Sequence, residues 1–170
     1  QFLETYKMAR EVGFKNINVD LMLGIPNQRI KDLKESLEEI INLQPEHISV
    51  YSLIVEDGTL IANKIQKGKL ELPNEETERN MYWYVKNTLE LNGYKHYEIS
   101  NFAKKGYESK HNINCWNQKQ YFGFGAGAHS YRDITRYSNT EKLEEYIRNV
   151  KSERLDRKRI IHEIQKEYDT

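Results

Sequence analysis

Short apolar segments alternate with longer amphipathic segments along this chain, and this order constrains its fold more than any other feature. Residues 17–23 and 47–53 have the length and apolar content of strands, and residues 29–43 between them carry apolar side chains at helical spacing. Strands that alternate with helices of this length form βαβ units, in which the strands run parallel. The sequence therefore predicts an α/β fold built on a parallel sheet.

The remaining segments continue the alternation without completing it. Three or four parallel strands are too few to close a barrel, so we expect an incomplete parallel (β/α) barrel of the TIM type, followed by a glycine-rich extended region and helices. Asn74 and Thr140 are the candidate N-caps of two of the helices. The further predicted elements are helices at 1–12, 60–67, 75–92 and 140–151, a strand at 94–100, a loop at 101–118 and an extended segment at 120–131.

Composition excludes several classes of protein. Lys and Arg number 26, as do Asp and Glu, and this zero net charge argues against an electrostatic nucleic-acid binder and a polybasic membrane patch. No apolar run approaches the ~20 residues that span a bilayer. The one cysteine, Cys115, excludes an internal disulfide framework and a multi-cysteine metal site built from this chain alone. With no secretory signal in its first residues, we expect a cytoplasmic protein, and the initial Gln1 suggests processing or an excerpt of a longer chain.

Asp20 is the first candidate for a binding residue. It lies in the second half of an apolar strand, so we expect a partly buried carboxylate with a partner. Ligands of parallel α/β sheets bind at the carboxyl ends of the strands. One interpretation is an acceptor for ligand hydroxyls, such as those of a ribose, and the other is an internal salt bridge or a cap of a neighbouring loop.

Three glycines alternate within a single short segment. If the segment is extended, Gly123, Gly125 and Gly127 lie on one face, which then has no side chains and admits a ligand or another backbone. Tight packing at a sheet corner explains the same pattern. His129 follows, where it can stack on or hydrogen-bond to a ligand, or serve only structure.

The predicted loop contains a cluster of coordinating and amide side chains. His111 and Cys115 can each ligate a metal or a heme iron, although neither has a spaced partner. The alternative is amide-rich turn chemistry beside a buried Trp116. Since the sequence contains no Ser-His-Asp arrangement, P-loop or paired carboxylates, it identifies no catalytic residue and no set of metal ligands.

Together these segments resemble the radical S-adenosylmethionine (SAM) proteins related to oxygen-independent coproporphyrinogen III oxidase. The similarity covers about residues 1–150, with the blocks in the same order and spacing. The His-Asn-x-x-x-Trp segment at 111–116 is similar to the signature of the family's heme chaperone branch. The other similar blocks are VDLMLGIPNQ at 19–28, PEHISVYSL with EDGT at 45–59, YEISNFA at 97–103 and GFGAGAHS at 123–130.

The resemblance implies a radical SAM barrel with a [4Fe–4S] cluster at its mouth. It implies that Asp20 contacts the SAM ribose, that Tyr51 and His129 lie near SAM, and that the glycine segment approaches it. A heme-related role is implied for the His matching His111, and the Cys115 thiol is a further candidate heme contact. Residues 1–131 would form the C-terminal half of the barrel with a family-specific extension, and 132–170 a helical region that starts a further domain.

Two departures from the family pattern bear on function. The heme chaperone signature has Tyr where this chain has Cys115, and no CxxxCxxC motif is present to hold the cluster. We therefore expect part of a heme chaperone that binds heme and SAM, inactive alone and completed by the N-terminal half of the barrel. The alternatives are an authentic coproporphyrinogen oxidase, which decarboxylates two propionates in porphyrin synthesis, and a cluster-free heme or SAM binding module.

Overall fold

The computed structural model describes residues 1–152 and 158–160. The contacts between residues divide the chain into two compact units, one comprising Gln1–Glu108 and the other beginning at Ser109. No helix in the described part of the chain is long and apolar enough to cross a membrane.

The first unit begins with the predicted alternation of helices and strands. Its helices are α1 (Phe2–Glu11), α2 (Ile30–Leu43), α3 (Leu60–Gln66) and α4 (Glu75–Leu91). Its strands are β1 (Asn18–Leu23), β2 (His47–Ser52), β3 (Lys95–Glu98) and β4 (Asn101–Ala103). Asn74 caps α4 as predicted, since its Oδ1 accepts a hydrogen bond of 2.8 Å from the backbone N–H of Thr77.

The sheet of this unit is mixed rather than parallel throughout. Its strand order is β1-β2-β4-β3, and β1 pairs with β2 in parallel. The prediction of one parallel strand at 94–100 is wrong, because β4 runs antiparallel to β2 and β3 antiparallel to β4. Only Ile99 and Ser100 separate β3 from β4, and a link of two residues makes a hairpin, whereas a parallel pair needs a long crossover. The described sheet is open, a mixed α/β arrangement rather than a closed barrel.

One face of the sheet carries the core. Val19, Leu21 and Leu23 of β1 are buried, as are Ile48 and Val50 of β2. Helices α2 and α4 contribute the apolar side chains that cover them, and burying each of these contributes about 1.5–3 kcal/mol. Those buried helical residues are Leu33, Leu37, Ile40, Met81, Val85 and Leu89.

An ion pair joins α1 to the starts of both parallel strands. The Arg10 guanidinium donates to the Glu46 carboxylate at 2.7 Å, and the backbone N–H of Ile17 donates to the same carboxylate at 3.0 Å. Burial alone would raise the pKa of Glu46, but these two hydrogen bonds outweigh it and hold that pKa below its ordinary value. Because Glu46 directly precedes β2 and Ile17 directly precedes β1, the carboxylate ties the two strand ends together.

The second unit contains α5 (Lys110–Trp116), β5 (His129–Arg132), β6 (Thr135–Ser138), α6 (Leu143–Lys151) and β7 (Lys158–Ile160). The three strands form an antiparallel sheet in chain order. The region predicted to be helical, 132–170, thus also contains strands, and its residues 153–157 and 161–170 lie outside the described part. The N-cap of α6 is Lys142 rather than Thr140, whose carbonyl instead accepts from the Gly127 N–H at 2.8 Å.

A buried hydroxyl in the first unit gives a test of this packing. Tyr94 is 2 % exposed, and its hydroxyl donates to the buried Pro45 carbonyl at 2.8 Å. We expect Tyr94→Phe to lower the free energy of unfolding by about 1–3 kcal/mol, because the carbonyl loses its donor where water cannot replace it. Urea unfolding measures this. Tyr107→Phe, at a ring 41 % exposed, is the matched control, and equal effects of the two variants would contradict the packing described.

Candidate functional site

The face of the first sheet opposite the core is polar. Residues of β1 and β2 that pair across the ladder share a face, and the register places Asn18 opposite His47, Asp20 opposite Ser49 and Met22 opposite Tyr51. Strand β4 extends this face, since Asn101 lies opposite Ser49. We call this surface the polar sheet face. Its polar residues from these three strands are Asn18, Asp20, His47, Ser49, Tyr51 and Asn101.

Asp20 is exposed, and the expectation that its carboxylate is partly buried is wrong. It alternates with Val19 and Leu21, which point into the core, so its own side chain lies on the polar sheet face. Its carboxylate accepts a hydrogen bond of 2.7 Å from the Asn18 side-chain amide. The partner is therefore a neutral amide on the same strand, and the carboxylate remains accessible to a ligand.

Tyr51 lies close to Asp20 in the ladder. The two residues are on neighbouring parallel strands and share the polar sheet face, and Tyr51 is two residues along β2 from Ser49, the partner of Asp20. Tyr51 is 41 % exposed. The structure thus brings together, on two neighbouring parallel strands, a carboxylate that accepts from hydroxyls and an aromatic ring with an accessible surface. Asp20 is the third of the six residues of β1, so the expectation that it lies in the second half of its strand is wrong.

A buried histidine adjoins this pair. His47 is 7 % exposed, and its two ring nitrogens lie 2.6 Å from Asn18 Oδ1 and 2.7 Å from the Tyr97 hydroxyl oxygen. Burial lowers the pKa of His47, although the nearby Glu98 and Asp20 carboxylates oppose the shift. The Ser49 hydroxyl also donates to Asn18 Oδ1, at 3.1 Å.

A β-bulge brings two further side chains into this network. The pairing of β3 with β4 shifts register between His96 and Glu98. A bulge redirects side chains, and here Tyr97 reaches His47 while Glu98 accepts a hydrogen bond from the Asn101 amide. The sequence analysis missed this network. The sequence feature that could have revealed it is the spacing of two residues between Asn18 and Asp20, and between His47, Ser49 and Tyr51, because side chains two apart in a strand share a face.

In the second unit, the predicted loop contains a helix. His111 and Cys115 are four residues apart in α5, so they lie on one helical face, and Cys115 Sγ is 3.6 Å from His111 Nε2. His111 is exposed and its ring meets Tyr121 edge-on, with ring centroids 6.0 Å apart. Trp116 is 56 % exposed rather than buried. Ser109 was the signal for the helix start, since its hydroxyl accepts from the Asn112 N–H at 3.3 Å.

The glycine segment is not extended along its whole length. Gly125 and Gly127 have φ values of +110° and +70°, and the chain turns between them, so the three glycines do not line one strand face. Left-handed backbone of this kind favours glycine. Strand β5 begins only at His129, whose side chain is exposed.

Close packing accounts for Gly123. A Cβ atom there would lie 2.0 Å from the carbonyl oxygen of His129, so no side chain fits. The backbone N–H groups of all three glycines are also used within this unit. Those of Gly123, Gly125 and Gly127 donate to the Ser130 hydroxyl at 3.0 Å, the Tyr146 hydroxyl at 3.0 Å and the Thr140 carbonyl at 2.8 Å.

The residues of this chain do not fit the ligation of an iron–sulfur cluster. Ligation by a CxxxCxxC motif takes three thiolates, and the sequence contains one cysteine. Within residues 1–152, moreover, no three His, Cys, Asp or Glu side chains cluster as a metal site would need. Any chemistry that depends on a cluster must therefore use ligands from outside this chain.

Sequence comparison identifies the relatives of the chain. It is 51 % identical over 143 residues to the heme chaperone HemW of Bacillus subtilis, covering 84 % of this chain and 38 % of that protein. It is 38 % identical over 154 residues to the heme chaperone HemW of Lactococcus lactis, covering 91 % of this chain and 41 % of that protein. The chain belongs to the family of these HemW proteins. It spans about two fifths of their length.

Two further comparisons give a relative in sequence and a likeness in fold. Radical S-adenosyl methionine domain-containing protein 1, mitochondrial, of Danio rerio is 35 % identical over 173 residues, covering 96 % of this chain and 39 % of that protein. The solved structure of coproporphyrinogen III oxidase (HemN) from Escherichia coli, a radical SAM enzyme, matches with a TM-score of 0.70 at 20 % identity. That match covers 94 % of this chain and 39 % of the other. It shows a shared fold, and no family model matches the chain.

Protonation of His47 should make folding depend on pH. The pKa of His47 lies below its ordinary value, and the unfolded histidine titrates near about 6.5, so the unfolded chain takes up the proton first as pH falls. We expect the free energy of unfolding to fall as pH drops below about 6.5, and to level off below the folded pKa. Urea unfolding from pH 8 to pH 5 measures this. His47→Gln should flatten the profile and His129→Gln should not, whereas an unchanged slope in His47→Gln refutes the assignment.

Proposed function

We propose that this chain is the SAM-binding and heme-binding part of a heme chaperone of the HemW kind. The observation that carries the proposal is its 51 % identity, over 84 % of its length, to a protein with that name. The N-terminal half of the barrel and the [4Fe–4S] cluster would come from residues outside this chain. Residues 1–131 would then complete the barrel and its extension, and 132–170 would start a further domain.

The polar sheet face supports the SAM-binding part of the proposal. Asp20 presents an accessible carboxylate, which is the group that accepts hydrogen bonds from ribose hydroxyls, and Tyr51 presents an accessible ring two residues further along the ladder. We propose that both contact SAM. We also propose that His129 and the turn at Gly123, Gly125 and Gly127 contact SAM. Since the N–H groups of these glycines already have acceptors, they would offer close approach rather than new hydrogen bonds.

Helix α5 supports the heme-binding part of the proposal. Imidazole and thiolate are common ligands of heme iron, and His111 and Cys115 present one of each on a single face. His111 is exposed, so a macrocycle can reach its ring. The same unit exposes aromatic surface suited to an apolar macrocycle, with Trp116 56 %, Phe122 57 % and Phe124 84 % exposed.

Two other functions have a specific observation in their favour. The fold likeness to coproporphyrinogen III oxidase, at a TM-score of 0.70, favours a porphyrinogen decarboxylase. The single cysteine favours a heme or SAM binding module without a cluster. The complete gene product, reconstituted with iron and sulfide, distinguishes them: the decarboxylase converts coproporphyrinogen III, the chaperone binds heme without this conversion, and the module neither cleaves SAM nor holds a cluster.

We also propose a cytoplasmic location, which a chain with one cysteine and no disulfide framework suits. The related protein of Danio rerio is named as mitochondrial, so fractionation of the source cells is the direct check.

Substitution of Asp20 tests the SAM site. In the complete gene product we expect Asp20→Ala to weaken SAM binding by about 1–3 kcal/mol, because the ribose hydroxyls lose a charged acceptor. Isothermal titration with SAM measures the change. Glu39→Ala, at an exposed acidic residue of α2, is the control for the loss of one negative charge. Unaltered SAM affinity in Asp20→Ala would refute the role of this carboxylate.

Substitution of the α5 pair tests the heme site. We expect hemin to shift its Soret band when it is titrated into this chain, and the double variant His111→Ala with Cys115→Ala to lose that shift, since both candidate axial ligands are gone. Absorption spectroscopy provides the measurement. His129→Ala is the matched control at another exposed histidine of the same unit. A Soret shift that persists in the double variant excludes this pair as the iron ligand.

A further inference from the structure

Asn18 is the junction of the network on the polar sheet face. Its side-chain carbonyl accepts from His47 Nδ1 at 2.6 Å and from the Ser49 hydroxyl at 3.1 Å, while its amide nitrogen donates to the Asp20 carboxylate at 2.7 Å. The reversed amide would place an oxygen against the Asp20 carboxylate, where neither atom can donate. The hydrogen bonds therefore fix which way the Asn18 amide points.

The orientation of the Asn18 amide determines which atom donates and which accepts in the remaining hydrogen bonds. Because Asn18 Oδ1 can only accept, His47 Nδ1 carries the proton, and in the neutral ring Nε2 is then the acceptor of the Tyr97 hydroxyl at 2.7 Å. The bonds thus run in one sense, from the Tyr97 hydroxyl through His47 and Asn18 to Asp20. His47 and Ser49 are 7 % and 3 % exposed, so this end of the network is held by packing.

We propose that Asn18 and His47 are positioning residues, which hold the Asp20 carboxylate in the orientation that binds ligand hydroxyls. An exposed aspartate samples several rotamers, and fixing one of them on binding costs conformational entropy. The amide of Asn18 fixes that rotamer beforehand, and the buried His47 fixes the amide in turn, so that the carboxylate is preorganised. This inference rests on the proposed SAM site, because it assigns residues that act through Asp20.

A double-mutant cycle in the complete gene product tests the proposal. We expect Asn18→Ala to weaken SAM binding about fivefold in the wild-type background and to change it by less than about twofold in the Asp20→Ala background, because Asn18 acts only through Asp20. Asn42→Ala, at an exposed asparagine of α2, is the matched control. Equal effects of Asn18→Ala in the two backgrounds would overturn the proposal.

Two different substitutions at His47 distinguish a positioning role from a general effect on the stability of the fold. Asparagine can place its amide N–H where His47 Nδ1 lies, whereas glutamine extends its amide toward the Nε2 position. We expect His47→Gln to weaken SAM binding as Asn18→Ala does, and His47→Asn to restore most of that loss. Equal affinities of the two variants would contradict the directed bond to Asn18.

Nuclear magnetic resonance on this chain gives a readout that does not need SAM. We expect the ring nitrogens of His47 to show the Nδ1-protonated tautomer, and the three-bond couplings of Asp20 to report one χ1 rotamer that becomes averaged in Asn18→Ala. An Nε2-protonated ring, or an Asp20 rotamer unchanged in Asn18→Ala, would overturn the positioning role. Loss of the Asp20 rotamer in Asn18→Ala combined with unaltered SAM affinity in Asp20→Ala would support positioning and refute only the proposed SAM site.

Discussion

The register of β1 against β2 determines where the functional side chains of the first unit lie. A slip of one residue would exchange the faces of a strand and send Asn18 and Asp20 into the core. The Glu46 carboxylate opposes such a slip, because it accepts from the backbone just before β1 while it belongs to the residue just before β2. Arg10 holds that carboxylate from α1, at 2.7 Å. The partly buried ion pair therefore fixes the pairing on which the polar sheet face depends.

The bulge in β3 also determines which side chains reach the polar sheet face, at the end of the hydrogen-bond network that contains His47. A regular strand would alternate its side chains, so Tyr97 and Glu98 could not both reach the polar sheet face. The shift of register after His96 lets both do so, while His96 remains stacked on Phe102 with ring centroids 4.5 Å apart. An irregularity of one residue thus supplies the hydroxyl that fixes the His47 ring and the carboxylate that accepts from Asn101.

Local sequence patterns predicted the helices and strands better than they predicted which residues contact one another. The apolar residues of α2 and α4 recur at helical spacing, and Asn74 is a cap that acts within three residues, so both could be inferred from the sequence. The exposure of Asp20 was missed because its strand is mostly apolar, which indicated a strand buried on both faces. The alternation of buried and exposed positions along β1 places Asp20 on the exposed face instead. The tautomer of His47 depends on residues 29 and 50 positions away, and no local pattern contains that information. Helix α5 is seven residues long and polar, which leaves little periodicity to detect.

The geometry of α5 limits how its two candidate ligands can act. A flat macrocycle offers its iron one axial position on each face. Side chains one helical turn apart on the same side of a helix approach the iron from the same direction, so His111 and Cys115 would compete for one axial position. If His111 bound the iron through Nε2, that nitrogen would lose its 3.6 Å contact with the Cys115 sulfur. Under the proposed heme-binding role, the pair would therefore supply one iron ligand rather than two.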